Sequence, residues 1–233
     1  MELSIKATKI LRILLAKLGI YFSKQPAKYD LLKSDIRENL LLNQKGVLHI
    51  GAHLGQEAKE YSDKDLNVIW IEASEATFSK LERNIVQFKK QKALNFLLGD
   101  SNKYVEFYEA SNDASSSIFR FGKDMPHKHL TMISTQKLKM QRLDSIFDKK
   151  QIERYKYWVI DVQGAELLVL KGAGDLLTIP TVIEIEISTR EEYLNGAKYS
   201  DIDNLLTQYR FRPLWSPGKF SHENIFYVKL DMN

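Results

Sequence analysis

The chain has 233 residues, enough for one substantial α/β domain with a short appendage and too few for two full domains. It contains no cysteine, which excludes disulfides, thiolate nucleophiles and Cys-ligated zinc and is compatible with the cytoplasmic location that we expect. The positive net charge of +4 comes from the first 45 residues, which carry nine Lys/Arg and four Asp/Glu. Residues 46–233 carry 25 Lys/Arg and 26 Asp/Glu and are about neutral. A nucleic-acid-binding domain would show its basic excess on the folded body, so we predict no nucleic-acid partner.

The N-terminal stretch predicts a basic amphipathic helix over 2–22. Its longest apolar run, 13–16, is far too short to span a bilayer, and it lacks the apolar core and cleavage site of a signal peptide. The helix either packs on the domain or mediates peripheral membrane contact or self-association. With a second predicted helix over 29–42, it forms a helical extension, 1–45, ahead of a main domain, 46–233.

A short apolar strand, 47–50, runs into Gly51 and Gly55 and then into a predicted helix over 55–62. Glycines at such a turn let a ligand lie against bare backbone, so a branched side chain at position 51 is expected to block the ligand and spare the fold. The spacing differs from the dinucleotide fingerprint and from the phosphate loop, so neither NAD nor ATP is favoured. A plain tight turn is the alternative interpretation.

Glu72 ends the second predicted strand, 68–71, about 20 residues after the glycine turn. An acid at this place accepts hydrogen bonds from ribose hydroxyls in doubly wound sheets, which favours a nucleoside ligand such as S-adenosylmethionine. Asp100 follows the third predicted strand, 93–98, where it could contact an adenine amino group or serve as an ordinary loop residue.

Strands and helices then continue to alternate, with a helix predicted over 75–90 and a half-buried strand over 104–108. A long polar and basic loop follows, of the kind that often serves as a lid or binding element. Further strands are predicted over 157–160, 181–187, 211–215 and 224–229, the last one antiparallel after a turn at 216–219. The prediction is a doubly wound α/β fold with a seven-stranded, mostly parallel sheet.

Acidic residues stand at the carboxyl ends of two of these strands. Asp161 follows strand 157–160, and Glu184 and Glu186 alternate along strand 181–187. Since ligands of open α/β sheets bind outside these ends, we expect the three carboxylates to converge near Gly51. The alternative is that Glu184 and Glu186 form the solvent face of an edge strand.

Taken together, several segments resemble the FkbM family of S-adenosylmethionine-dependent methyltransferases, over roughly residues 46–230. The block from Asp161 to Ala173 is the most specific part. The resemblance implies the Rossmann-like class I methyltransferase fold and O-methylation of a hydroxyl on a sugar, glycan or natural product. The matching segments are 50–57, 70–73, 105–108, 110–113, 115–117, 143–144, 160–166 and 170–173.

The chain departs from the family pattern at His49, where an aspartate is frequent, at His53, where an asparagine is frequent, and at Val159, where a lysine is frequent. The change at His49 removes an acid near the methionyl amino group, so the partner of that amine is left open. Two alternatives to methyl transfer also stay open, a non-catalytic nucleoside-binding or assembly module and a nicotinamide-dependent oxidoreductase.

The predicted general base is Asp161, followed by Glu184 and His222. No set of metal ligands is predicted, although a divalent cation between Asp161 and Glu184 would assist proton loss. The predicted cofactor-binding residues are Gly51, Ala52, His53, Gly55, Gln56, Glu72, Ala73, Asp100, Ser101, Asp161 and Val162.

Overall fold

The computed structural model describes residues 29–218 and 222–230. The amphipathic helix expected over 2–22 lies outside these residues. The helices are α1 Tyr29–Leu41, α2 Ala58–Asp63, α3 Glu75–Ile85, α4 Leu143–Ile146, α5 Lys149–Ile152, α6 Glu166–Ala173 and α7 Tyr199–Gln208. The strands are β1 Gly46–Ile50, β2 Asn67–Glu72, β3 Gln91–Asn95, β4 Leu97–Leu98, β5 Lys103–Ala110, β6 Met132–Gln141, β7 Tyr157–Ile160, β8 Val182–Ser188, β9 Phe211–Pro213 and β10 His222–Lys229.

Seven of the strands form one sheet in the order β3-β2-β1-β7-β8-β10-β9. Neighbouring strands are parallel from β3 to β8, and β10 runs antiparallel to both β8 and β9. The chain order reverses at β1, with β2 on one side and β7 on the other, which is where a doubly wound sheet binds its ligand. The predicted α/β fold, with its mostly parallel seven-stranded sheet and antiparallel final strand, is confirmed.

The centre of this sheet is buried on both faces. All residues of β1 and β7 are buried, and so are all residues of β2 except the first. These strands are continuous apolar runs, the pattern expected of parallel strands that helices cover on both sides. The core they create fixes the carboxyl ends of β1, β2 and β7 relative to one another.

A second, three-stranded sheet in the order β4-β6-β5 stands beside the first. The strand expected over 104–108 extends to Lys103–Ala110 and pairs antiparallel with β6, which the sequence analysis did not identify. Most of β6 is exposed and polar, and its apolar alternation is confined to Leu138 and Met140 near its end, too short a signal for a strand prediction. The loop between β5 and β6 contains a single 3₁₀ turn, Asp113–Ser115, that lies over the site described below.

Helix α1, part of the predicted 1–45 extension, packs into the core of the domain. Ile36 and Leu41 are fully buried. Arg37 reaches the sheet, where its Nε donates to Glu184 at 3.0 Å, and it also pairs with Glu60. The part of α1 from residue 36 to residue 41 is therefore packed into the core. No helix in the described part of the chain is long and apolar enough to cross a membrane.

Candidate functional site

A cavity of about 270 Å³ opens at the carboxyl ends of β1, β2 and β7. Eight of the eleven predicted cofactor-binding residues line it. They are Gly51, Ala52, His53, Gln56, Glu72, Ala73, Asp161 and Val162.

Gly51 forms the tight turn at the end of β1, with a φ of +81°. The amides of Gly51 and Ala52 both donate to the carbonyl of Ile71, at 2.9 and 3.0 Å, which joins the ends of β1 and β2. A Cβ at position 51 would lie 1.6 Å from the backbone oxygen of Asp161. The glycine is needed for the close approach of β1 and β7, so the expectation that a larger residue would spare the fold is wrong.

Gly55 has a φ of +69° but is not among the residues that line the cavity. A Cβ there would lie 2.7 Å from Leu81 of α3, so this glycine lets the turn pack against that helix. Its predicted place in the cofactor site is thus indirect, because it supports the turn and does not face the cavity.

His53 holds the β5–β6 loop over the cavity through a hydrogen bond to Asp113. Its Nδ1 accepts from Gln56 Nε2 at 2.9 Å, so Nε2 carries the proton and donates to Asp113 Oδ1 at 2.8 Å. Lys80 also pairs with Asp113, at 3.2 Å. The hydrogen bond from His53 lowers the pKa of Asp113, and the loop bearing Asp113, Ala114, Ser116 and Ser117 forms one wall of the cavity.

Glu72 presents its buried carboxylate at the end of β2. Oε2 accepts the His53 amide and Oε1 accepts the Ser74 amide, both at 2.9 Å. Burial raises the pKa of Glu72, against the effect of these two backbone donors. Each oxygen keeps one lone pair for a further donor, so the carboxylate can accept two hydroxyl protons from a ligand.

His49 stands where an aspartate is frequent in the family, and two residues of the cavity explain how an ammonium group could bind without that aspartate. His49 is buried, and burial lowers its pKa to about 3, so the imidazole is neutral at physiological pH. Glu57 Oε2 is buried and, among the residues that the structure describes, has no hydrogen-bond partner. A buried carboxylate oxygen without a partner is costly, which marks this position as a place for a ligand donor.

Asp161 lies at the end of β7, and its carboxyl group hydrogen bonds to that of Glu186 on β8. Gln163 lies between them, with Nε2 2.6 Å from Asp161 Oδ1 and 2.7 Å from Glu186 Oε2. Burial and the Glu186 charge raise the pKa of Asp161 well above its ordinary range. Because the neighbouring Glu186 disfavours a second negative charge, Asp161 binds a proton more strongly than an ordinary aspartate and can both accept and release one.

Glu166 holds the turn after Asp161 in shape. Its Oε1 accepts the amides of Val162 at 3.2 Å and Gly164 at 3.0 Å. Burial and the nearby Glu186 raise the pKa of Glu166 to about 7. Within this turn Gln163 and Gly164 both adopt positive φ, of 55° and 97°.

His222 lies behind the carboxyl pair and does not line the cavity. Its Nε2 lies 2.9 Å from Glu186 Oε1, and its Nδ1 lies 2.8 Å from Glu192 Oε2. These two hydrogen bonds raise the pKa of His222 to about 10. An imidazolium cannot accept a proton, so the surroundings of His222 do not support its prediction as a direct base. The contact between His222 and Glu186 makes His222 a positioning residue.

Glu184 does not converge on the cavity as expected. It is buried in the middle of β8, where it accepts from Arg37 Nε at 3.0 Å, Tyr157 OH at 2.8 Å and Asn224 Nδ2 at 3.1 Å. Its carboxylate balances the buried guanidinium of α1, so neither a base nor a metal ligand beside Asp161 is available from it. The interpretation of β8 as a solvent-facing edge strand also fails, because β8 lies between β7 and β10.

Asp100 and Ser101 lie beyond the cavity, in a bend after β4. Ser101 Oγ donates to Asp100 Oδ1 at 2.9 Å, and Arg142 Nη1 donates to the Asp100 carbonyl at 2.8 Å. The cavity wall comes from the preceding residues Phe96, Leu97 and Leu98. These residues are apolar, so the sequence analysis assigned them to a strand and overlooked them as ligand contacts.

The sequence analysis also missed Glu57, Gln163 and the apolar residues Phe107 and Ile118, all of which line the cavity. Gln163 lies within the segment that carries the family resemblance, so it was detectable as a site residue. Glu57 also lies within a matching segment, 50–57, but a glutamate at the start of a helix is ordinarily interpreted as a helix-stabilising residue. Phe107 and Ile118 reach the cavity only through the second sheet.

Among the described residues, no group of three or more His, Asp or Glu side chains is arranged to hold a metal ion.

Two solved structures with bound SAH have a similar fold. The N-terminal domain of EvdMO1 with bound SAH has a TM-score of 0.50 at 6% identity, covering 85% of this chain and 80% of that one. Magnesium protoporphyrin IX methyltransferase (ChlM) from Synechocystis PCC 6803 with bound SAH has a TM-score of 0.47 at 10% identity, covering 94% and 98%. At such identities the similarity concerns the fold alone.

No curated protein matches the chain. The model of the methyltransferase FkbM domain matches residues 49–213, which include the cavity and the Asp161–Glu186 pair. The match covers well over half of the sequence and confirms the predicted family and its cofactor, S-adenosylmethionine. The chain therefore belongs to the FkbM family of S-adenosylmethionine-dependent methyltransferases.

Proposed function

We propose that this methyltransferase transfers a methyl group to a hydroxyl of a sugar, glycan or natural-product acceptor. The observation that carries the proposal is the Asp161–Glu186 carboxyl pair at the edge of the cofactor cavity. A hydroxyl oxygen must lose a proton when it becomes an ether, and this pair is a proton acceptor beside the expected methyl position. S-adenosylmethionine would supply an electrophilic methyl group on a sulfonium cation.

The residues of the cavity fit this cofactor. Glu72 has two lone pairs for the ribose hydroxyls, and the acceptor oxygen Glu57 Oε2 suits the methionyl ammonium. Leu97 and Phe107 belong to an apolar cluster of the second sheet and offer a surface for the adenine ring. We assign Glu57 as the carboxylate partner of the amine, in place of the acid that His49 replaces.

The base function follows from the hydrogen bonds of Asp161. Gln163 Nε2 donates to Asp161 Oδ1 and to Glu186 Oε2, which holds the two carboxyl groups side by side. The His222 imidazolium lies against the carboxyl groups of Glu186 and Glu192. A sulfonium in the cavity favours the ionised form of Asp161, so an occupied cofactor site prepares the base.

The family match favours methyl transfer over the nicotinamide-dependent and non-catalytic alternatives. A location in the cytoplasm, and membrane contact or self-association through the N-terminal helices, stay predictions.

Calorimetry with S-adenosylhomocysteine tests the cofactor site. Glu72→Ala should weaken binding by about 1.5–3 kcal/mol for each lost hydrogen bond. Glu57→Gln should weaken binding at least tenfold, because the amide cannot balance the ammonium charge. Glu82 is an exposed residue of α3, so Glu82→Gln removes the same charge away from the site and serves as the control, with unchanged affinity expected. Wild-type affinity in both site variants would refute the assignment.

Turnover tests the base. Release of S-adenosylhomocysteine would be measured with S-adenosylmethionine and a panel of hydroxylated acceptors. Asp161→Asn should reduce turnover by roughly 10²–10⁴-fold, the usual effect of losing a general base. Asp175→Asn changes an exposed aspartate and should be neutral. If Asp161→Asn turns over normally and is only less stable, then Asp161 has a structural role.

A further inference from the structure

A second cavity, of about 1040 Å³, lies beside the cofactor cavity. Its walls come from the β5–β6 loop and from the segment between β8 and α7. Tyr193 lines the second cavity, and its hydroxyl lies 2.7 Å from Gln163 Oε1 and 3.0 Å from the Ser115 carbonyl. Because Gln163 also contacts Asp161, one side chain connects the wall of the second cavity to the proposed base.

The second cavity is basic although the domain as a whole is nearly neutral. Four cationic side chains and two carboxylates line it, and both carboxylates are engaged within the wall. Glu191 lies 3.7 Å from the Lys123 ammonium, and Asp124 Oδ2 accepts the Glu191 amide at 3.2 Å. The other cationic residues are Lys128, Arg190 and Lys198.

Lys128 and Lys198 are the cations available to a ligand. Both are exposed, and within residues 29–218 and 222–230 neither ammonium has a carboxylate at salt-bridge distance. Lys128 Nζ donates only to the carbonyl of Lys123, at 2.7 Å. They lie on different segments, one in the β5–β6 loop and one directly before α7, so the two approach the cavity from separate walls.

The two ends of this region have opposite charge. Asp161 and Glu186 lie at the end near the cofactor cavity, and Lys128 and Lys198 lie in the basic cavity beyond Tyr193. A molecule with a hydroxyl at one end and an anionic group at the other would therefore be oriented with its hydroxyl towards Asp161. The reverse orientation would place the anion against the carboxyl pair.

We propose that the second cavity is the acceptor site and that the acceptor carries an anionic group, a phosphate or a carboxylate, which binds to Lys128 and Lys198. This inference rests on the proposed function, because it names the acceptor class of the same methyl-transfer site. Tyr193 and the hydroxyl groups of Ser188 and Ser200 line the same cavity and suit a carbohydrate body.

The test is a titration of the full chain, saturated with S-adenosylhomocysteine, with glucose 1-phosphate, glucuronate and glucose. Glucose 1-phosphate and glucuronate distinguish the two sources of the anionic group, and glucose is the uncharged reference. We expect at least one anionic sugar to bind at least tenfold more tightly than glucose. Lys128→Gln with Lys198→Gln should abolish that preference and leave the affinity for S-adenosylhomocysteine unchanged.

Lys149→Gln with Lys150→Gln is the matched control, since it removes the same charge from α5 at the opposite end of the strands. Equal binding of glucose and both anionic sugars, or an equal loss in the control variant, would overturn the proposal. If the wild-type chain does not bind S-adenosylhomocysteine, the result refutes the cofactor site instead. The two failures are therefore distinguishable, because the sugars can be titrated without the nucleoside as well.

Discussion

Glu166→Gln is expected to make the protein more stable in alkaline solution. The residue is buried, and its pKa of about 7 in the folded chain compares with an ordinary value of 4.5. When the pKa of a carboxyl group is higher in the folded chain than in the unfolded chain, the group contributes its full stabilisation at pH values below the pKa of the unfolded chain. That contribution is lost as the pH rises from 4.5 through 7.

The shift is worth about 3 kcal/mol, since each pKa unit corresponds to about 1.36 kcal/mol. Glutamine keeps an oxygen that can accept the amides of Val162 and Gly164, and it does not ionise. The variant should therefore gain up to about 3 kcal/mol over the wild type between pH 5 and pH 8.5. Taking the difference between the two proteins removes the contributions of other titrating groups.

Urea unfolding at intervals of half a pH unit measures this difference. Glu166→Ala is the companion variant, because it removes both the charge and the acceptor and should be less stable at pH 5 by about 1–3 kcal/mol. Parallel stability curves for Glu166→Gln and the wild type would show that Glu166 titrates normally. The account of the turn after Asp161 would then be wrong.

Gly51→Ala should destabilise the protein by about 2 kcal/mol or more, because the new Cβ meets the Asp161 carbonyl; an unchanged melting temperature would contradict this. Arg37→Met should cost about 3–5 kcal/mol in urea unfolding, because Glu184 is left buried without its cation, and adding Glu184→Gln should recover part of the loss. Without such recovery, the ion pair is not the cause. Affinity for S-adenosylmethionine should rise relative to S-adenosylhomocysteine as the pH increases above the ordinary range of an aspartate, because the pKa of Asp161 is raised and its anion forms only as the pH increases. Identical pH profiles of the two ligands in calorimetry would exclude Asp161 as the sulfonium partner.

The main sheet was predictable because its strands are read from local pattern. β1, β2 and β7 are short, mainly apolar runs bounded by turn residues, and apart from the first residue of β2 they are buried, as a parallel strand between two helical layers must be. Strand β6 was not predictable in this way. It pairs with β5 while exposing polar side chains, and only the short alternation at Leu138 and Met140 marks it as a strand.

The sequence by itself determined which residues stand at the carboxyl ends of the strands, and hence that Gly51, Glu72 and Asp161 share one edge of the sheet. Only the tertiary structure decided what each side chain meets there. Glu184 and Glu186 are two residues apart on β8, yet Glu184 pairs with Arg37 and Glu186 pairs with Asp161.

Alternation along a strand cannot show which of these carboxylates faces a cation and which faces Asp161. That choice depends on where α1 and the turn at Gln163 pack, and both are far from β8 in sequence. The same holds for Glu57. Only the fold shows that its Oε2 is buried beside the cofactor cavity and, among the residues described, has no hydrogen-bond partner. Long-range packing sets the charge state and the partners of these groups, and local sequence carries no record of it.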